Sequence, residues 1–452
     1  MKKLQWDFWK SRTPIPPPPK RRIHLGIDYG TSTSKLVFRD YGAPGGEAAI
    51  LVLRERSFRI PSRVCVTDRE LVFGDDRKAS QGCAIFESVK MQAAAAITGV
   101  PGYYFGPVRT LPDGFAAVDL AVLTVWFLIS EGNRAIAAYL GGSNYGVAIG
   151  MTMGVPMAFF ANPGLRSEFL VIARRAWSLY REEGLLGSVL PIDKALRLLD
   201  KHPAYAVPVT PESEVRDWIR SEGEAAMWWP FQSPAIAAGP YAKVDIGAGT
   251  THSSLYRIFG NSGTPKTGLA FFGAVTVSVG MDAVDRSLAT FQGLDGDCLA
   301  LRGRENSILQ SNARACGALI PVQEQIYEAY RKAWIETYRK INEYAAELNA
   351  WSDHRIFVIG GGSLIPSLVE SSRRHPGRGV PLQLAPLEQP ADLARADNKK
   401  VTADELPFVT VAYGLSNIGL SIPEALTPDE VPPMPDRTER RNRLDREDIY
   451  AK

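Results

Sequence analysis

The stretch KVDIGAGTTHSSLYRI, Lys243 to Ile258, decides how this chain is read. An apolar run ends in Asp245, crosses Gly247, Ala248 and Gly249, and resumes as alternating, strand-like sequence with His252 just past the turn. So bare a turn has a chemical use. Cβ atoms obstruct the close approach of backbone amides to a phosphate tail. Glycine removes the obstruction and admits positive φ, so successive N–H groups can point at one anion. Thr250 and Thr251 add hydroxyl donors beside the turn. A carboxylate at a strand end, here Asp245, can hold a hydrated Mg2+ that bridges phosphates, because that ion keeps several waters and needs few protein oxygens.

The same pattern occurs once more. GIDYGTSTSKLVF, Gly26 to Phe38, places Asp28 before a turn of Gly30, Thr31, Ser32 and Thr33, again followed by a strand. A repeat more than two hundred residues apart implies two similar lobes rather than a short-period solenoid. IFVIGGGSLIPSL, Ile356 to Leu368, supplies a buried strand, a glycine turn at Gly360 to Gly362, and a helix opening near Ser363 or Pro366. It reads as a nucleoside platform. The chain has no G-x-x-x-x-G-K-[ST], and the element after each phosphate turn reads as strand, which excludes a P-loop.

Composition bounds the rest. A chain of 452 residues with 45% hydrophobic content can hold two or three domains, and strands alternating with helices predict an α/β architecture. A net charge of +3 does not advertise nucleic-acid binding. The four cysteines are scattered without a C-x-x-C pair, and the five histidines are equally dispersed, so no structural zinc site is expected. No segment approaches the ~18 apolar residues of a membrane span. AVLTVWFLIS, Ala121 to Ser130, reads as a buried helix, and the N-terminus lacks the apolar core of a signal peptide. The expected location is cytoplasmic.

The expected organisation is a Trp/Pro-rich extension over 1–22, lobe I over 23–240, lobe II over 241–404, a return helix to lobe I over 405–425, and a charged tail over 426–452. Trp6, Phe8 and Trp9, ahead of Pro14 and Pro16 to Pro19, and the mixed-charge C-terminal tail are the candidate contacts for a protein partner.

In this order of motifs the chain resembles the nucleotide-binding domain of the 70-kDa heat-shock chaperones, within the actin and sugar-kinase ATPase superfamily. The likeness runs from about Ile23 to Leu420. GIDYGTSTS is similar to the first phosphate motif, VDIGAGTTHSSLY to the second, IFVIGGGSLIPSL to the adenosine motif, and PFVTVAYGLS to the return helix. IPSRVCVTDRELVFGDDRK, FESVKMQ, TMGVPMAFF, GEAAM and VSVGMDAVDRSL favour the chaperone branch. The resemblance implies an actin-like ATPase fold of two duplicated βββαβα lobes, with ATP or ADP and Mg2+ in the cleft between them. It assigns Asp28, Lys90 and Glu224 to catalysis, and Asp28 and Asp245 to the metal. It assigns Gly30, Thr31, Ser32, Thr33, Asp245, Gly247, Ala248, Gly249, Thr250, Thr251, Gly280, Gly360, Gly361, Gly362 and Ser363 to the nucleotide. Lys90 would neutralise charge developing at the γ-phosphoryl.

Four features depart from that family. His252 stands where a second metal-facing aspartate is usual. Phe408 and Val409 replace the acidic pair of the return helix. Leu364 replaces an adenine-stacking arginine, and Leu288 to Val322 is shorter than the usual inserted subdomain. The residues after Leu420 do not read as a peptide-binding domain, so the expectation is a slow ATPase acting as a nucleotide-dependent switch for a protein partner. Three alternatives stay open: an actin-like filament former, a nucleotide-binding pseudoenzyme scaffold, and a small-molecule kinase using Asp282 or Asp285 as base.

Overall fold

The computed structural model describes residues 21–43, 45–53, 57–74, 84–99, 111, 113–142, 147–260, 266, 268–294, 301, 304–341, 351, 353–377 and 379–417. The N-terminal aromatic and proline segment and the C-terminal charged tail, with the partner contacts expected of them, lie outside these residues.

Alternating apolar residues around the first Gly/Thr turn make an antiparallel hairpin, β1 (Arg21–Asp28) and β2 (Thr33–Asp40), with β3 (Ala48–Ile50) antiparallel to β2. Two helices carry the chain over the sheet before β8 (Val147–Val155) returns parallel to β1. The intervening short strands are β4 (Ile60–Pro61), which pairs β2, and β5 (Arg63–Val66), β6 (Glu70–Phe73) and β7 (Ala84–Glu87). With β9 (Val189–Pro191), the last three form a separate sheet ordered β7-β5-β6-β9. The first sheet reads β10-β8-β1-β2-β3-β15, where β10 is Ile219–Ser221 and β15 is Leu393–Arg395.

The second Gly/Thr turn builds the same arrangement. Strands β11 (Gly239–Ile246), β12 (Thr251–Phe259) and β13 (Gly268–Val277) run antiparallel, and β14 (Arg355–Ile359) joins β11 in parallel after a helical crossover. The order β13-β12-β11-β14 repeats β3-β2-β1-β8 strand for strand. The chain is therefore mixed α/β with several sheets, two of them sharing one local topology.

The helices that position the site are α1 (Val89–Thr98), α2 (Ala117–Tyr139), α3 (Pro163–Glu183), α4 (Glu222–Gln232), α5 (Met281–Gln292), α6 (Glu305–Ser311), α7 (Ile320–Ile341) and α8 (Leu406–Leu415). Helix α2, which contains AVLTVWFLIS, is the one described helix long and apolar enough to cross a membrane, and 78% of its apolar window is buried inside the protein. With α3 it covers the first sheet, while α7 covers the second. Helix α8 is apolar on every side because it is buried on every side, wedged between β1 and α4. A Cβ on Gly26 would overlap Ala412 O, and one on Gly414 would overlap Ala225 O. Backbone meets backbone at both crossings.

Cys65 on β5 is disulfide-bonded, and Cys316 is free and exposed.

Buried on β1, His24 places Nε2 2.9 Å from the Thr152 hydroxyl, which itself donates to Asp217 O at 2.8 Å, so His24 must be the donor. Its pKa is pushed down to about 3, first by burial and then by Arg220. The unfolded chain protonates histidine near 6.5. Stability should therefore fall as pH drops from about 6.5 towards 3, by about 1.4 kcal/mol per unit from this group. His24→Gln should flatten the acid limb by that amount in urea-denaturation midpoints taken from neutral pH to about 4. An unchanged slope would show that His24 titrates normally.

Candidate functional site

A cavity of about 310 Å3 lies between the two topologically matched sheets, with both Gly/Thr turns on its walls. From the first hairpin come Asp28, Gly30, Thr31, Ser32, Thr33 and Lys35; from the second come Asp245, Gly247, Ala248, Thr250 and His252. Two stretches far apart in sequence thus face one volume.

Each turn is shaped by its glycines. In the first, Tyr29 N–H donates to Ile27 O at 3.1 Å and Gly30 N–H to Asp28 O at 3.0 Å, and a Cβ on Gly30 would overlap Thr33 O. In the second, Gly247 N–H donates to Thr250 O at 2.9 Å. The first amides of α5 tie this turn back: Met281 N–H donates to Gly247 O at 2.9 Å and Asp282 N–H to Ala248 O at 2.8 Å. The carbonyls are thereby occupied. Among the described residues, the amides of Ala248, Gly249 and Thr250 have no backbone acceptor. Half-buried donors of this kind are a ready anion cradle.

Several expected nucleotide contacts act one layer back. A Cβ on Gly249 would stand 2.9 Å from Thr31 Cγ2, so this glycine is where the two turns meet. A Cβ on Gly280 would stand 2.5 Å from both Gly247 O and Ala248 O, which makes Gly280 the support behind the second turn. Buried Thr251 donates its hydroxyl to Val279 O at 2.6 Å. Gly362 packs on Ile246, and Ser363 donates to Gly360 O at 2.7 Å. Gly360 (φ +79°) and Gly361 do reach the cavity, together with Leu364, Ile365, Glu305 and Asn306. Phe408, in place of the expected acid, stands against Gly361, 3.7 Å from a Cβ built there. The Arg59 guanidinium lies 5.1 Å from the Phe408 ring centre, and Phe58 meets the same ring edge-on at 6.2 Å.

Glu224 does not reach the cavity; Glu222 does. Ser221 caps α4 through its hydroxyl, which accepts from Glu224 N–H at 3.4 Å, so Glu222 opens the helix and Glu224 sits in its third position. Two residues along a helix is about 200° of rotation, so only one glutamate can face the cleft. The buried Glu224 carboxylate instead lies 3.9 Å from Arg216. Glu222 is ion-paired to Lys90, whose side chain is 2% exposed and whose ammonium lies 5.8 Å from the Tyr29 ring centre. Burial pushes the Glu222 carboxyl up, Lys90 opposes this, and Asp28 and Asp245 add to it.

One further lysine, Lys35, lines the cavity, and another, Lys243, is buried behind it. Lys35 lies opposite Asp28 in the β1/β2 register, with Nζ 3.1 Å from Asp28 Oδ2. Lys243 is completely buried two residues before Asp245 and donates to Gly223 O at 3.4 Å. Burial pulls its pKa down, against Asp245 and Glu222. Burial pushes the Asp245 carboxyl up, and Lys243 opposes this. Lys243 shares a strand face with Asp245 by period-two spacing, whereas Lys35 meets Asp28 only across the hairpin.

His252 faces Asp245 across the β11/β12 register. Its Nδ1 lies 3.0 Å from Thr276 Oγ1, and its buried Nε2 has no partner among the described residues. Burial, then the Lys243 charge, holds its pKa well below the ordinary value, so the ring is neutral near pH 7. Among the described residues no three His, Cys, Asp or Glu side chains converge as a metal site. No protein-family model matches this chain, and no curated protein matches it.

Proposed function

We propose that this chain binds ATP or ADP between two lobes of an actin-like ATPase fold of the chaperone branch. Cleft closure on the nucleotide would serve as a conformational switch for a protein partner. One observation carries the reading: equivalent turns on two sheets of equivalent order face a single cavity, with the Ala248–Thr250 amides free of backbone acceptors among the described residues. Strand topology, turn chemistry and cavity position agree.

In this reading the free amides and the Thr31 and Thr250 hydroxyls hold the phosphates, while Gly360, Gly361 and Phe408 border the nucleoside. Lys90 supplies positive charge towards the terminal phosphoryl, held in place by Glu222. Glu222, rather than Glu224, is the carboxylate placed to orient an attacking water. Its ion pair with Lys90 occupies the carboxylate that would accept the proton, so turnover is slow. A scaffold that binds without turnover is the second reading, favoured by the neutral ring of His252. Phosphate release from radiolabelled ATP separates the two.

Calorimetric titration with ATP, run with magnesium and again with EDTA, tests the first claim. ATP at a hundred times its Kd should raise unfolding stability by about 2.7 kcal/mol. Gly249→Val drives a branched side chain into Thr31 and should weaken binding by ~100-fold. Absence of heat and of thermal stabilisation in both buffers would end the nucleotide reading.

A further inference from the structure

The magnesium ion that the chaperone likeness implies does not fit these residues. A hydrated Mg2+ takes carboxylate oxygens and keeps its waters around them. The Asp28 carboxylate already holds an ammonium, Lys35 Nζ at 3.1 Å, with side-chain exposures of only 10% and 13%. That ammonium also lies 3.4 Å from the point where a Cβ on Gly30 would stand, which puts it at the mouth of the first turn. Asp245 shares its face of β11 with Lys243, a fully buried side chain that donates to Gly223 O at 3.4 Å. Glu222 is taken by Lys90. His252, opposite Asp245, offers a ring nitrogen and no negative charge. Three carboxylates thus meet two ammonium groups on the cavity wall, Lys35 and Lys90, with Lys243 buried behind them, and a divalent cation placed between Asp28 and Asp245 would face repulsion from Lys35.

We propose that the cleft takes the metal-free nucleotide polyphosphate, with the Lys35 ammonium in the place of the divalent cation. This rests on the nucleotide reading above. Lys35 sits at the turn that would grip the phosphates, and Asp28 orients it as a partner across the hairpin. ATP without its metal carries more negative charge than the magnesium complex, and a cleft whose acids are already neutralised by lysines favours the more anionic form. Lys243 lies buried on the same face of β11 as Asp245, behind the second turn.

The test is ATP affinity in magnesium-free buffer with EDTA against affinity in millimolar magnesium, measured on the full chain. Binding should be at least as tight in EDTA. In EDTA, Lys35→Met should weaken binding by ~10-fold or more, and magnesium should restore part of that loss by occupying the freed Asp28 carboxylate. A structural role for Lys35 alone would not create this metal dependence. If Lys35→Met does not fold by circular dichroism, Lys35→Gln serves, and the wild-type comparison still decides. Tight binding by the wild type only when magnesium is present overturns the proposal while sparing the nucleotide reading. Equal affinity of wild type and Lys35→Met in EDTA overturns the role of Lys35. No binding in either buffer overturns both.

Discussion

Gly414→Val should destabilise the protein by roughly 4 kcal/mol or more, or prevent folding, placing it among the most damaging single substitutions the chain can carry. Ordinary overpacking of a core costs ~1–3 kcal/mol, because side chains can turn aside. Here nothing can turn aside. A Cβ at 414 would overlap the backbone carbonyl of Ala225, and α8 cannot retreat because Gly26 of β1 lies against Ala412 and Ser416 on its other side. Moving α4 instead would displace Glu222 and its pairing with Lys90. Moving α8 would displace Phe408 from Gly361. The measurement is the urea midpoint at constant m-value. Gly317→Ala is the control: a Cβ at that helical glycine meets nothing, so the change should stabilise by about 0.4–1 kcal/mol. Comparable midpoints for Gly414→Val and wild type would mean that the helix crossing is not locked.

The crossing also shows what in this chain was readable beforehand. Gly247, Gly249 and the threonines around them have a local reason to be where they are, and local reasons survive in a linear reading. The same is true of α2 and of the strand, turn and helix at Ile356 to Leu368. What could not be read is what depends on distant partners. Gly414 looks like any helical glycine until Ala225 lies over it. Lys35 and Lys243 look like strand lysines pointing to water until a second sheet closes over the face they share with Asp28 and Asp245. The helix start at Glu222 was legible, since Ser221 is a strong capping residue, but that Glu222 rather than Glu224 faces the cleft depends on how α4 packs. The pairing of β15 with β3 spans more than three hundred residues, and the alternating pattern of either strand is too short to announce it.

His252→Asp should convert the cleft to metal-dependent behaviour and raise phosphate release by ~10-fold, about 1.4 kcal/mol in barrier. An aspartate at 252 would stand opposite Asp245 on the neighbouring strand and beside the α4 start that carries Glu222, because a Cβ on Gly223 would lie only 3.5 Å from the present His252 Nε2. The new carboxylate would lose the Thr276 contact of Nδ1. It would also leave the Lys35, Lys90 and Lys243 charges outnumbered by acids, which is the condition a divalent cation needs to bind. The variant should therefore be less stable than wild type in EDTA and recover with magnesium, whereas the wild type should be indifferent to the ion. pH provides an independent reading. In the wild type His252 stays neutral when folded but protonates near 6.5 when unfolded, so it costs stability as pH falls below about 6.5, by up to about 1.4 kcal/mol per unit. That contribution vanishes in the variant, and the acid limb of its stability curve should flatten. Its magnesium dependence and its pH response have different origins, one in the charge it adds and the other in the ring it removes. A variant with the flattened acid limb but unchanged, metal-indifferent phosphate release would mean that the charge at 252 does not govern the cation.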